Sequence, residues 1–176
     1  MFHSADSQIR SALAAFTVPD PLTVESLFAA VRERYPRPLE LWRGEPPLAG
    51  LRANGLWLKR PDAASDAIWV APSLTGAAAV HTLAHEVGHI VLGHAPPHVL
   101  PVARTTEPYR FLGPEFLGGC LIGRARSRST QHVPDHLRVE DQAEQFAFAL
   151  RRKAAERARE NRHRHDPLLD RLYKSL

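Results

Sequence analysis

A chain of 176 residues has the length of one domain and can bury a core of its own. Its 44% hydrophobic and 24% charged residues are those of an ordinary soluble globular protein, and its net charge of +4 comes with no signature of a nucleic-acid-binding fold. One cysteine, Cys120, excludes an internal disulfide and a cysteine-built metal site. The chain has no apolar run of membrane-spanning length, and its first residues, MFHSADSQIR, lack a basic-then-apolar leader order. A cytoplasmic protein is expected.

Lysine occurs only at 59, 153 and 174, so 20 of the 23 basic residues are arginine. With the many alanines, this points to a GC-rich bacterial genome. Much of the basic charge lies between Arg124 and Arg164. It reads as a solvated helix face and a loop, so direct nucleic-acid binding is not expected.

In chain order, residues 6–16 (DSQIRSALAAF) predict a short amphipathic helix, which Pro19 and Pro21 break. Thr23 stands as the N-cap of a helix over about 24–35, with Leu27, Phe28 and Val31 on one face; Pro36 and Pro38 end it. Residues 39–43 (LELWR), 55–59 (GLWLK) and 67–71 (AIWVA) predict three strands, the last two pairing as a hairpin across RPDAASD. Residues 76–92 carry the strongest helical pattern, with Val80, Leu83, Val87, Ile90 and Val91 at helical spacing and Gly93 as the stop. Residues 94–135, rich in Pro, Gly and Arg, form a long irregular insertion. A final helix is expected over about 137–160, with Pro134 or Asp135 at its start and a heavily charged second half projecting beyond the core. The sum is an α+β single domain over 1–176. Its core spans about 24–150 and residues 151–176 are a charged helical extension. A short, mainly antiparallel sheet packs against two helices.

The helix over 76–92 contains His85-Glu86-Val87-Gly88-His89. Two histidines four apart share one helix face, about 6 Å apart in rise. Their imidazoles can converge on one tetrahedral ion. The residue after the first histidine is rotated by about 100° and reaches the flank of that ion, where a glutamate can take a proton from water. His85 and His89 are therefore candidate zinc ligands and Glu86 the candidate catalytic carboxylate. His81 lies a turn earlier, about 12 Å along the axis from His89, too far to share the ion. It is expected beside a ligand or facing solvent. His94 is five residues after His89, whereas the metzincin pattern needs six, so it is expected to cap or line the site.

The third ligand is sought on the final helix, where Val139, Ala143, Phe146, Ala147, Leu150 and Ala154 form one apolar arc. Glu140 stands at its edge. A carboxylate pressed against a core face needs a partner, and two histidines plus a glutamate are a catalytic zinc arrangement. Glu144, nearer the polar side, is the reserve.

The stretch HTLAHEVGHIVLGH, followed by VEDQAEQFAFAL, resembles the ImmA/IrrE family of bacterial metallopeptidases. That family pairs an HExxH helix with a downstream E-x-x-A-x-x-F-A helix, here Glu140, Ala143, Phe146 and Ala147. The resemblance covers about residues 24–150. It implies a small zincin-like fold, with His85, His89 and Glu140 as zinc ligands and Glu86 as the catalytic group. It also implies a regulatory protein as substrate, such as a helix-turn-helix repressor of a mobile element, stress or defence operon. Two features depart from the family: about fifty residues separate His89 from Glu140, and the helix continues past Phe146 as RRKAAERARE.

The activity expected is zinc-dependent peptide-bond hydrolysis, with the substrate held by backbone pairing on an edge strand, for which residues 67–71 are the candidate. His94, His132, His136, Tyr109 and Arg110 are candidate oxyanion donors. Two rivals stand beside it: a non-catalytic zinc-containing regulator that binds a transcription factor, and the toxin component of a two-gene module. An intact Glu86 argues against the first.

Overall fold

The computed structural model describes residues 3–47, 53–60, 63–95, 121–122 and 133–164. Their elements are α1 (His3–Ala15), α2 (Val24–Arg32), β1 (Leu39–Trp42), β2 (Gly55–Lys59), β3 (Asp66–Val70), α3 (Gly76–Val91), β4 (Leu121–Ile122) and α4 (Val133–Arg164). It is an α+β arrangement, and among the described residues no helix is long and apolar enough to cross a membrane.

Local chemistry accounts for several of these boundaries. Thr23 caps α2 through a capping box: its side chain accepts from Ser26 N–H, and the Ser26 side chain answers to Thr23 N–H. That satisfies two amide donors that a helix start leaves orphaned. Helix α3 ends in a Schellman motif built on Gly93, whose φ of +69° suits a residue without Cβ. Gly93 N–H donates to Ile90 O at 3.1 Å, and His94 N–H to His89 O at 2.9 Å.

The sheet order is β1-β3-β2-β4. Strands β2 and β3 pair antiparallel as the expected hairpin, with Trp57 opposite Ile68. Strand β1 joins the far side of β3 in parallel, with Leu39 opposite Asp66. The sheet is thus mixed but mainly antiparallel, as expected, since β1–β3 is the one parallel pairing among the described residues, and β3 is central. Every residue of β3 is buried, and from Ala67 to Val70 it reads as a continuous apolar run without the alternation of a one-faced strand. Residues 67–71 therefore cannot serve as an open edge. Among the described residues, β4 meets β2 at Leu58 and Lys59.

Asp66, at the start of β3, is almost fully buried and ties the sheet to the turn after α2. It accepts the Tyr35 hydroxyl at 2.5 Å and Arg60 N–H at 2.9 Å, and faces the Arg37 guanidinium at 3.2 Å. Such a charge is tolerated inside because each oxygen has a donor. Burial, then the bond to Asp66, pushes the Tyr35 phenol well above its ordinary value.

The core lies between the sheet and the helices. Leu27 and Val31 of α2, Trp57, Ile68 and Val70 of the sheet, Leu83 and Val87 of α3, and Phe146, Ala147 and Leu150 of α4 form one buried cluster. Helices α3 and α4 cross closely where Gly88 meets Ala143. A Cβ on Gly88 would lie 3.0 Å from Ala143 O and 3.2 Å from Ala143 Cα, so this approach depends on the missing side chain.

Two boundaries differ from the expectations. The core includes the N-terminal segment, with Ile9, Phe16 and Val18 buried in the same cluster. The charged half of α4 is docked on it: Lys153 Nζ donates to Leu13 O at 3.0 Å, Arg157 Nη1 to Val18 O at 2.8 Å, and Ala154 is buried. The long aliphatic stems of Lys and Arg let such residues cover a core while their charges reach backbone carbonyls. The expected insertion over 94–135 lies almost wholly outside the described residues.

Candidate metal centre

Helix α3 presents His81, His85 and His89 on successive turns, and α4 runs alongside with Glu140 and Glu144 one turn apart. The crossing at Gly88 and Ala143 sets their separation. His85 Nε2 and His89 Nε2 lie 3.2 Å apart. Glu140 Oε2 is 3.4 Å from His85 Nε2, and Glu140 Oε1 is 3.7 Å from His89 Nε2. One ligand atom from each of the three residues lies within 4.8 Å of the others, a group that could hold a metal ion. An ion with four bonds of about 2.0–2.1 Å in tetrahedral geometry spaces its ligand atoms by about 3.3 Å, close to these separations. The structure thus brings together His85, His89 and Glu140.

Glu144, the reserve ligand, has a different position. Its Oε2 is 3.1 Å from His85 Nδ1, the ring nitrogen facing away from the cluster, and its Oε1 is 3.0 Å from His81 Nε2. Burial raises the Glu144 pKa, but the hydrogen bond from His85 and the neighbouring His81 outweigh it and hold the carboxyl below its ordinary value. An ionised carboxylate only accepts, so it takes the proton on His85 Nδ1 and leaves Nε2 with a bare lone pair. Two imidazole nitrogens and a carboxylate converging at 3.2–3.7 Å repel one another unless a cation or proton lies among them. This donor set fits a divalent ion.

His81 is partly buried and shares the Glu144 carboxylate with His85. Arg151 Nη1 lies 3.3 Å from His81 Nδ1. Since Arg only donates, donor directions run from Arg151 to His81 to Glu144, with His85 donating to the same carboxylate from the other side.

Glu86 is on the opposite flank of α3, only 8% exposed. Its Oε2 accepts Trp57 N–H at 2.9 Å, which ties the carboxylate to β2. Gly55 permits that approach: a Cβ there would lie 2.5 Å from Thr82 Cγ2 and 2.9 Å from Glu86 Oε1. A cleft of about 300 Å³ runs between β2 and α3, lined by Asn54, Gly55 and Trp57 on one side and His85, Glu86, His89 and Glu140 on the other. The strand bordering the cleft is β2, in place of the expected 67–71.

Sequence reasoning missed Gly55, Gly88 and Arg151. A glycine inside a strand pattern is a signal for close approach; the other two depend on the α3–α4 register, which no local pattern encodes. Of the candidate oxyanion donors, Tyr109, Arg110, His132 and the His136 side chain lie outside the described residues, while His94 is turned onto His89, with their Nδ1 atoms 2.8 Å apart.

Compared with known proteins, the chain matches no family model, no curated protein and no solved structure.

Proposed function

We propose that this chain is a zinc-dependent endopeptidase of zincin-like fold, acting in the cytoplasm on a regulatory protein such as a helix-turn-helix repressor. The observation that carries the reading is the convergence of His85, His89 and Glu140 on one point, with the Glu86 carboxylate in the same cleft. The choice of a repressor as substrate rests on the resemblance of HTLAHEVGHIVLGH and VEDQAEQFAFAL to the ImmA/IrrE metallopeptidases.

Zinc held by the three ligands would acidify water and polarise a scissile carbonyl. Glu86, oriented by Trp57 N–H, takes the proton of the attacking water and hands it to the amine nitrogen as the C–N bond breaks. The Asn54–Trp57 segment that lines the cleft receives the substrate in extended form.

The test incubates the purified chain with candidate helix-turn-helix repressors, with zinc, with a chelator, and as Glu86→Gln. Cleavage by the zinc-loaded wild type alone is the expected result. A repressor that is bound but stays whole in every arm removes the protease reading and leaves a zinc-containing regulator.

A further inference from the structure

We infer that His94 is the positioning residue for His89: its ring nitrogen accepts the His89 Nδ1 proton and so aims Nε2 at the ion. The inference rests on the zinc reading above and deepens it. A neutral imidazole carries one N–H, so a histidine that ligates through Nε2 must keep its proton on Nδ1. A ligand of this kind needs an acceptor behind it, which fixes both tautomer and ring orientation. For His85 that acceptor is Glu144. For His89 it is His94, with Nδ1 to Nδ1 at 2.8 Å and ring centroids 5.0 Å apart.

The backbone explains why the acceptor comes five residues later. In the Schellman motif that ends α3, His94 N–H bonds back to His89 O while Gly93 N–H bonds to Ile90 O. This 6→1 turn brings the second residue beyond the helix cap over the third residue before it, and the two side chains usually make an apolar contact. Here those two places hold His94 and His89, so a contact that elsewhere only seals a helix end becomes a ring-to-ring hydrogen bond. The spacing that disqualifies His94 as a ligand suits it for this role. The capping bond uses the His94 backbone alone, so replacing its side chain leaves the motif in place.

The test compares zinc affinity, by competition with a chromogenic chelator, in wild type, His94→Leu and His94→Asn. Asn can place its amide oxygen near the position of Nδ1; Leu fills the space without an acceptor. His94→Leu is expected to bind zinc about 10–100-fold more weakly, and His94→Asn to stay close to wild type. Equal affinity of His94→Leu and wild type, or equal losses in both variants, overturns the inference. A second measurement uses the metal-free wild type at a pH where its histidines are neutral. Long-range proton–nitrogen NMR should find the His89 proton on Nδ1, and finding it on Nε2 also overturns the inference. A wild type that takes up no zinc defeats the zinc reading and this one together, whereas uptake indifferent to His94 defeats this one alone.

Discussion

Helix α3 has two working flanks, and each depends on a glycine. On the β2 flank the glycine belongs to the strand, Gly55, and what it lets in is the Glu86 side chain. On the α4 flank the glycine belongs to the helix itself, Gly88, and what it lets in is the backbone of Ala143, three residues from Glu140. The first contact sets the group proposed to move a proton; the second sets the frame of the candidate metal site. Two functions on one helix are thus governed by different neighbours, and substitutions should separate them.

The strongest separation comes from the acting groups. Glu86→Gln is expected to lower turnover by about 10²–10⁴-fold with zinc stoichiometry unchanged, because the amide cannot take the proton and Glu86 lies outside the ligand group. Glu140→Ala should lose both, leaving inactive protein that emerges from gel filtration without stoichiometric zinc. Zinc loss in the Glu86 variant, measured by elemental analysis, would break the division.

The two glycines give a finer cut. Gly55→Ala forces the new methyl against Thr82 and Glu86, both side chains able to move, so the strand stays and the carboxylate is displaced. A shift approaching 1 Å in a reacting group costs about 10²-fold in rate; zinc affinity should hold. Gly88→Ala meets backbone, which cannot rotate away. The helices must part by a few tenths of an ångström, and overpacking of this kind costs about 1–3 kcal/mol. The expected result is a lower melting temperature together with weaker zinc binding, read by calorimetry and chelator competition. A Gly88→Ala protein with wild-type affinity would mean that Glu140 reaches the ion independently of the crossing.

What could be read in advance was whatever is encoded within a few residues. The Thr23 cap, the α3 pattern and the His85–Glu86–His89 triplet are set by neighbours three or four positions apart, and each stands where the sequence placed it. Glu140 was also within reach, because a carboxylate beside the Ala143–Phe146–Ala147 arc has few ways to be satisfied. The central position of β3 was not legible. The run AIWVA is consistent with either an edge or a centre, and the choice is made by LELW, which pairs with it from more than twenty residues away. The docking of Lys153 and Arg157 on the N-terminal segment is likewise set by partners about 140 positions distant. The role of Glu144 turned on which nitrogen of His85 it faced, a matter of ring orientation that spacing alone does not state.

That orientation yields the smallest effect. Glu144→Gln removes the charge behind His85 but keeps an oxygen able to accept the Nδ1 proton, so His85 should remain aimed at the ion. The ring loses the electrostatic help that an anionic partner lends a ligand nitrogen. The expected loss in zinc affinity is about tenfold, the low end of what such outer partners contribute. Glu144→Ala also removes the acceptor shared with His81 and should fall further. The order wild type, Gln, Ala in chelator competition would show that Glu144 acts on His85 through both charge and orientation; equal losses in Gln and Ala would assign the whole effect to charge. Loss of stoichiometric zinc in the Gln variant would instead make Glu144 a ligand in its own right, and move the ion from the α3–α4 crossing toward the His81 end of the cleft.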